Sequence, residues 1–142
     1  MVAILKKPLP VTETPARSND TAERLRRVPG IDVDAGLAFV GNSVDVYLRL
    51  LHRFVQLHEA DMHDLVHQAE GGDHASVTGL AHAIKGGAAT LGLTGLSGLA
   101  QQLEQEAGAQ TPVARIVELA RALQVDHAVL RQQLAGTVER RA

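Results

Sequence analysis

The sequence predicts an all-α protein, an antiparallel up-down four-helix bundle preceded by one or more short N-terminal helices. The 142-residue chain is 45% apolar but holds only one Tyr, two Phe and no Trp, so its core must consist mainly of Leu, Val, Ile and Ala. Apolar residues recur at three- and four-residue steps along several long segments, which is the helical period. The connections between those segments are short, which favours antiparallel neighbours.

The first 28 residues are predicted to be a linker, because three prolines interrupt a polar stretch: Pro8, Pro10 and Pro15. Within this segment a short charged helix is expected from residue 21 to residue 28, ended by Pro29-Gly30. A two-turn helix is predicted over residues 34–40 and stops at Gly41.

The first long helical segment begins after Asn42 or Ser43, either of which is a suitable N-cap. Its buried stripe comprises Val44, Tyr47, Leu48, Leu51, Phe54 and Val55, with Leu57 as a less regular member. After a break near residues 59–61 the pattern resumes with Met62, Leu65, Val66 and Ala69.

Three further helices complete the predicted bundle. Asp73 caps a helix that Gly92 ends, with a buried stripe of Val77, Leu80, Ala81, Ile84, Ala88 and Leu91. Thr94 is predicted to cap the next helix, whose inward residues are Leu96, Leu99, Ala100, Leu103 and Ala107. Thr111-Pro112 opens the last helix, which runs to about Leu134 through Ile116, Leu119, Leu123 and Leu130. Residues 137–142 are predicted to fray.

His82 is the candidate functional residue, since it lies roughly 140° around its helix from the buried stripe. The residues around it on that face are small: Ala75, Thr78, Gly79, Gly86 and Ala89. A neutral imidazole can attack a phosphoryl group, and the ammonium of Lys85 can offset the charge acquired. Gly86 and Gly87 cost the helix roughly 1 kcal/mol each relative to alanine. The other interpretation is a solvated surface histidine, with the two glycines at a close helix crossing.

The run His82-Ala-Ile-Lys85-Gly86-Gly87-Ala-Ala-Thr-Leu-Gly92 resembles the signature of histidine-containing phosphotransfer (Hpt) domains. Further segments are similar to the same family: Pro29-Gly30-Ile31-Asp32, Gly41-Asn42, Leu51-His52-Arg53-Phe54, Gly72-Asp73 and Leu103-Glu104. The resemblance covers roughly residues 29–135, and the domain is accordingly placed at residues 29–136.

This resemblance implies a relay in a two-component system. His82 would accept a phosphoryl group from the aspartyl phosphate of a receiver domain and pass it to an aspartate of another receiver. Carried over by position, Lys85 would stabilise charge and Gly86 would give access. The small residues of the same helix face, Ala75, Thr78, Gly79 and Ala89, indicate where the partner would dock. Glu104 occupies a position where relatives carry a polar residue, Gln in some, so it could orient the imidazole although it would repel the phosphoryl group. No cofactor or metal is expected on this chain, since the partner receiver would carry the Mg²⁺.

The N-terminal run Leu5-Lys6-Lys7-Pro8-Leu9 is similar to the Lys-Pro segment near the end of a receiver domain. On that interpretation the chain is the C-terminal module of a hybrid sensor histidine kinase. The other interpretation is a basic, proline-containing linker.

The composition of the chain argues against nucleic acid and membranes as partners. A net charge of −2 offers no basic field for nucleic acid, and three aromatic residues supply little base stacking. No apolar run approaches the ~20 residues of a membrane helix, and the first residues lack the apolar region of a secretory signal. The absence of Cys is compatible with the cytoplasm. We therefore expect a cytoplasmic protein, or the cytoplasmic part of a membrane-anchored sensor kinase, without direct membrane contact. A monomer is expected because one bundle can bury its own apolar stripes.

Three alternatives stay open. His63 and His67, spaced i, i+4, could share a metal with Asp64 or His58, although a polar helix face is the default and the His-Glu-x-x-His pattern is missing. The remaining histidines, His52, His74 and His127, are predicted at the surface or at helix ends.

The chain could be the dimerising hairpin of a histidine kinase, but Ala83 stands where that family has an acidic residue. It could also be a non-catalytic docking bundle.

Overall fold

The structure is a computed structural model that describes the backbone of residues 15–139 and the side chains of residues 18–135. Over this range all regular secondary structure is helical, so the predicted fold class is confirmed. The helices are α1 (Pro15–Arg26), α2 (Val33–Phe39), α3 (Val44–Leu57), α4 (Glu59–Glu70), α5 (His74–Thr90), α6 (Thr94–Gly108) and α7 (Val113–Glu139).

Helices α4, α5, α6 and α7 form the bundle. α5 packs against α4 and α6, and α7 packs against the same two helices from the other side. The connections before α5, α6 and α7 are short turns, so neighbouring helices run antiparallel. α3 and α4 together are the first predicted long helix, which breaks at His58. The buried side chain of His58 packs edge-on against the ring of Phe54, with 4.7 Å between the ring centroids.

The predicted stripes form one continuous core. Each fully buried helix position of α5 (Val77, Ala81, Ile84 and Ala88) is expected from the periodicity. The predicted inward residues of α7 are also buried, but two further buried residues of this helix, Ala120 and His127, are not among those predicted. Four predicted members, Val44, Val66, Leu80 and Leu99, are only partly buried. Leu57 is wrong as a core residue, because 63% of its surface is exposed at the end of α3.

The N-terminal helix differs from its prediction in its start and in its packing. The helix expected from residue 21 begins at Pro15, and it packs against α3 and α7 instead of serving as a linker. Leu25 is fully buried, the hydroxyl of Ser18 donates to Asp45 (2.8 Å), and the guanidinium of Arg24 donates to the carbonyl of Gln133 (2.6 Å). Residues 15–26 therefore form a helix that packs on the rest of the described chain. Residues 1–14, with the predicted receiver-like run, lie outside the described part of the chain.

The end of α5 is held by hydrogen bonds from the segment that precedes α2 and from α3. Asp32 donates its backbone N–H to the carbonyl of Gly92 (2.7 Å), and the hydroxyl of Tyr47 donates to the carbonyl of Leu91 (2.8 Å). Burial raises the pKa of Tyr47 to about 12. Gly92 has φ +76°, and a Cβ there would collide with the carbonyl oxygen of Asp32. Gly92 thus ends α5 as predicted, and the close approach requires glycine.

Helix ends confirm most of the capping predictions. Ser43 and Asp73 accept hydrogen bonds from the third residue after them, at 3.3 Å and 3.2 Å, and so cap α3 and α5. Thr94 is wrong as a cap, since it lies inside α6 and the capping position is Leu93. The last helix starts after Thr111-Pro112 as predicted but continues to Glu139, so the backbone of residues 137–139 is helical rather than frayed. Residues 140–142 are not described.

Two of the histidines predicted at the surface or at helix ends have ring nitrogens within hydrogen-bond distance of backbone carbonyls. His127 is 2% exposed, its Nε2 lies 3.0 Å from the carbonyl of Val55, and burial lowers its pKa. His74 is the first residue of α5, as predicted for a helix end, but both ring nitrogens face backbone carbonyls: Gly72 at 3.0 Å and Thr111 at 2.9 Å. No helix within residues 15–139 is both long and apolar enough to span a membrane.

Candidate functional site

His82 projects from the middle of α5 into solvent. Its neighbours Ala81 and Ile84 are fully buried, so the helical repeat turns His82 away from the core. The side chain is 69% exposed. The predicted exposure of this imidazole on the outer face of the bundle is therefore the observed one.

Glu104 on α6 lies against the imidazole. Its Oε2 is 2.9 Å from Nδ1 of His82, and its Oε1 is 2.8 Å from Nζ of Lys85. The hydrogen bond from Lys85, followed by the one from His82, holds the pKa of Glu104 below its usual range. The carboxyl group is therefore ionised at neutral pH and accepts from both neighbours.

This contact determines the tautomer of the imidazole. An ionised carboxylate can only accept hydrogen bonds, so Nδ1 of His82 must be the nitrogen that carries the proton. Nε2 of the neutral ring then carries the lone pair. The lone pair consequently lies on the ring edge away from Glu104, in a side chain that is mostly exposed.

The two adjacent glycines of α5 have different surroundings. A Cβ at Gly86 would meet nothing within 4 Å, whereas a Cβ at Gly87 would lie 3.3 Å from the ring of Phe54. Close packing against α3 thus explains the glycine at position 87. The surface-histidine interpretation predicts such a close helix crossing at both glycines. Close packing does not account for Gly86, which stands one turn after His82 on the open face.

The face around His82 carries little side-chain bulk. Ala75, Gly79 and Ala89 are exposed, and a Cβ at Gly79 would also meet nothing within 4 Å. Thr78 is half-buried, and its hydroxyl donates to the carbonyl of His74 (2.8 Å) on its own helix. The long side chain of Lys85 is drawn toward α6 by Glu104. The structure therefore brings together every predicted site residue on one surface of α5 and α6.

Comparison with known proteins identifies the family. A family model described as the Hpt domain matches residues 49–139, well over half of the chain. The chain belongs to the Hpt domain family. The match includes His82, Lys85, Gly86 and Glu104. Searches of curated proteins and of solved structures give no match.

Membership confirms the resemblance stated from the sequence. Hpt domains are phosphotransfer modules, not kinases, and they take part in two-component phosphorelays by interacting with receiver domains. The matched range starts inside α3, so the predicted domain limits at residues 29 and 136 stay predictions.

One relationship in this Hpt domain was not predicted from the sequence, the ion pair between Lys85 and Glu104. Lys85 was assigned to the phosphoryl group alone, and Glu104 was considered only as a partner of His82. A signal was available, because His82 and Glu104 lie at similar distances along the chain from the turn at Gly92. In an antiparallel hairpin such residues stand side by side.

The alternative metal site has no support from the fold of this Hpt domain. His63 and His67 are exposed on α4, whereas His58 is buried and its Nδ1 lies 2.9 Å from Asp61. Within the described residues, no group of three or more His, Asp or Glu side chains is arranged to hold a metal ion.

Proposed function

We propose that His82 is the phosphoacceptor of a phosphorelay, and that Nε2 is the atom phosphorylated. The observation that carries this proposal is the hydrogen bond from Nδ1 to Glu104, because it leaves the lone pair on the other nitrogen of an exposed ring. An imidazole in this tautomer needs no base to become a nucleophile.

The transfer then requires few groups from this chain. Nε2 attacks the phosphorus of an aspartyl phosphate on a receiver domain, the N–P bond forms, and the P–O bond breaks with its electron pair going to the aspartate carboxylate. The reverse displacement delivers the phosphoryl group to the aspartate of another receiver. Lys85, one turn along α5, contributes positive charge beside the incoming group. Glu104, the carboxylate beside the ring, is already bound by His82 and Lys85, so we assign the Mg²⁺ of the reaction to the receiver.

The receiver must approach closely enough for an in-line attack. We propose that it docks over Ala75, Thr78, Gly79 and Ala89, where short side chains allow two backbones to come near. Gly86 keeps the approach to His82 open, since nothing lies within 4 Å of the position that a Cβ would occupy. We further propose that the chain acts as a monomer in the cytoplasm, as one bundle buries its own apolar stripes.

Phosphoryl transfer from a receiver tests the proposal. The full chain is incubated with radiolabelled ATP alone, and then with receiver domains loaded with labelled phosphate. We expect no label from ATP, label from at least one receiver, and no label in His82→Gln. Glu106→Gln serves as a matched control, because Glu106 lies on α6 but pairs with Arg115 on α7.

Each contrary result supports a different function. Label acquired from ATP without a receiver would indicate a kinase hairpin. Receiver binding without transfer would indicate the non-catalytic docking bundle. Transfer that persists in His82→Gln would show that another residue is the acceptor.

A further inference from the structure

The contact between Glu104 and His82 has a consequence for the phosphorylated state. When Nε2 of a neutral imidazole bonds to phosphorus, the ring becomes an imidazolium that still carries the proton on Nδ1. This proton has two fates: it stays, or it leaves to give a neutral phosphoimidazole with a lone pair on Nδ1. The group that Nδ1 faces decides between them.

Here Nδ1 faces an ionised carboxylate at 2.9 Å. If the proton left, the lone pair of Nδ1 would stand against Glu104 Oε2, and two acceptors would face each other. Glu104 cannot easily take up the proton itself, because Lys85 holds its other oxygen at 2.8 Å and favours the ionised form. Among the described residues, the charged group in contact with the ring is Glu104 on α6, and Lys85 on α5 is paired with that carboxylate.

Resting on the function proposed above, we infer that Glu104 keeps the Nδ1 proton on His82 throughout the relay, so that the phosphohistidine is held as an imidazolium. Glu104 is in this sense a positioning residue for a proton. From the sequence alone, this carboxylate is expected to repel the phosphoryl group. That repulsion is reduced, since Glu104 lies on the Nδ1 edge of the ring and is paired with Lys85.

The retained proton keeps the phosphoryl group transferable. When the N–P bond of a phosphoimidazolium breaks, its electron pair returns to Nε2 and neutral imidazole leaves. Without the proton on Nδ1 the leaving group would be an imidazolide anion, which is a far poorer one. Glu104 thereby favours onward transfer at neutral and mildly alkaline pH, and no proton has to enter or leave the site in either direction.

The replacement Glu104→Gln tests this inference, since the carboxamide has the same shape. Its oxygen can accept from a protonated Nδ1 and its NH₂ can donate to a deprotonated one, so both forms of the ring are satisfied. The full-length chain is loaded with phosphoramidate, a small phosphoryl donor that needs no receiver. After the donor is removed, the loss of phosphate from His82 is followed from pH 5 to pH 10.

We expect the midpoint of this pH profile to lie lower in Glu104→Gln than in the unmodified chain by about one pH unit, a tenfold change in proton affinity. At pH 8 the variant should accordingly release phosphate more slowly, by up to about tenfold. ¹⁵N NMR of labelled histidine provides a direct readout, in which Nδ1 of phosphorylated His82 retains its proton at pH 8 only when Glu104 is present. Glu106→Gln, the matched control on α6, should behave as the unmodified chain.

Two results would overturn the inference while leaving the proposed function intact. One is the same pH midpoint with and without the carboxylate, and the other is a midpoint that moves upward in Glu104→Gln. If His82 acquires no phosphate in any variant, the proposed function fails and this inference fails with it.

Discussion

The paired glycines of α5 allow a test that separates access from packing. In Gly86→Ala the new Cβ meets nothing within 4 Å, so the variant should gain the full helix propensity of alanine, about 1 kcal/mol in the free energy of unfolding. For a chain of this size that corresponds to a rise in Tm of about 4 °C. In Gly87→Ala the Cβ lies 3.3 Å from the ring of Phe54, so the ring must shift and the gain should be reduced or lost.

Larger side chains should separate function from folding at the same two positions. Gly86→Leu adds an isobutyl group beside His82 on the open face. We expect phosphoryl transfer to slow at least about tenfold, which corresponds to about 1.4 kcal/mol in activation free energy. The free energy of unfolding should change by less than about 1 kcal/mol. Gly87→Leu should destabilise the bundle by about 1–3 kcal/mol and leave the rate of transfer in the folded protein nearly unchanged. Urea unfolding and single-turnover transfer from a phosphorylated receiver measure the two quantities. Equal damage to folding and transfer in Gly86→Leu, or a lower Tm in Gly86→Ala, would refute the access argument.

Three further predictions concern stability. Tyr47→Phe leaves the buried carbonyl of Leu91 without its donor and should lower the free energy of unfolding by about 1–3 kcal/mol in urea titrations. Burial lowers the pKa of His127 in the folded state. The contribution of His127 to the free energy of unfolding is therefore complete above about pH 6.5 and is lost as the pH falls through the folded pKa. His127→Gln should accordingly flatten the acid side of a Tm–pH profile. His74 has a raised pKa because two backbone carbonyls accept from its ring, so its contribution is complete below about pH 6.5 and is lost as the pH rises through the folded pKa. His74→Gln should therefore flatten the alkaline side, and a profile unchanged by either variant would contradict the hydrogen-bond assignments.

The helix that carries the site could be predicted because its signals are local. Asp73 and Gly92 mark its ends, and the apolar stripe between them is regular enough to leave His82 on the opposite side. The α1 helix was placed too late because its buried face includes Ser18 and Thr21, two small polar residues that do not stand out in an apolar pattern. Their burial depends on partners elsewhere in the chain, such as Asp45 on α3 for Ser18.

The same distinction applies to the candidate site. His82 and Gly86 were assigned from spacing within one helix, whereas the pairing of Lys85 with Glu104 depends on the register between α5 and α6. The burial of His127 follows the helical period between Leu123 and Leu130, whereas its partner, the carbonyl of Val55 on α3 at 3.0 Å, depends on the tertiary fold. Periodicity within one helix therefore predicts which face a residue occupies, but not which side chain it meets across a helix boundary.

The arrangement of α5 suggests why a relay of this kind can be small. Both ends of the helix are tied to other parts of the chain, His74 to the carbonyl of Thr111 and Leu91 to the hydroxyl of Tyr47. The proposed nucleophile, His82, therefore lies on a helix fixed at both ends, with its ring hydrogen-bonded to Glu104. Because attack at Nε2 requires no proton transfer, the chain has only to present one nitrogen on an open face. In the proposed relay the receiver supplies the activated phosphoryl group and the metal, and the same exposed surface serves a donor and an acceptor in turn.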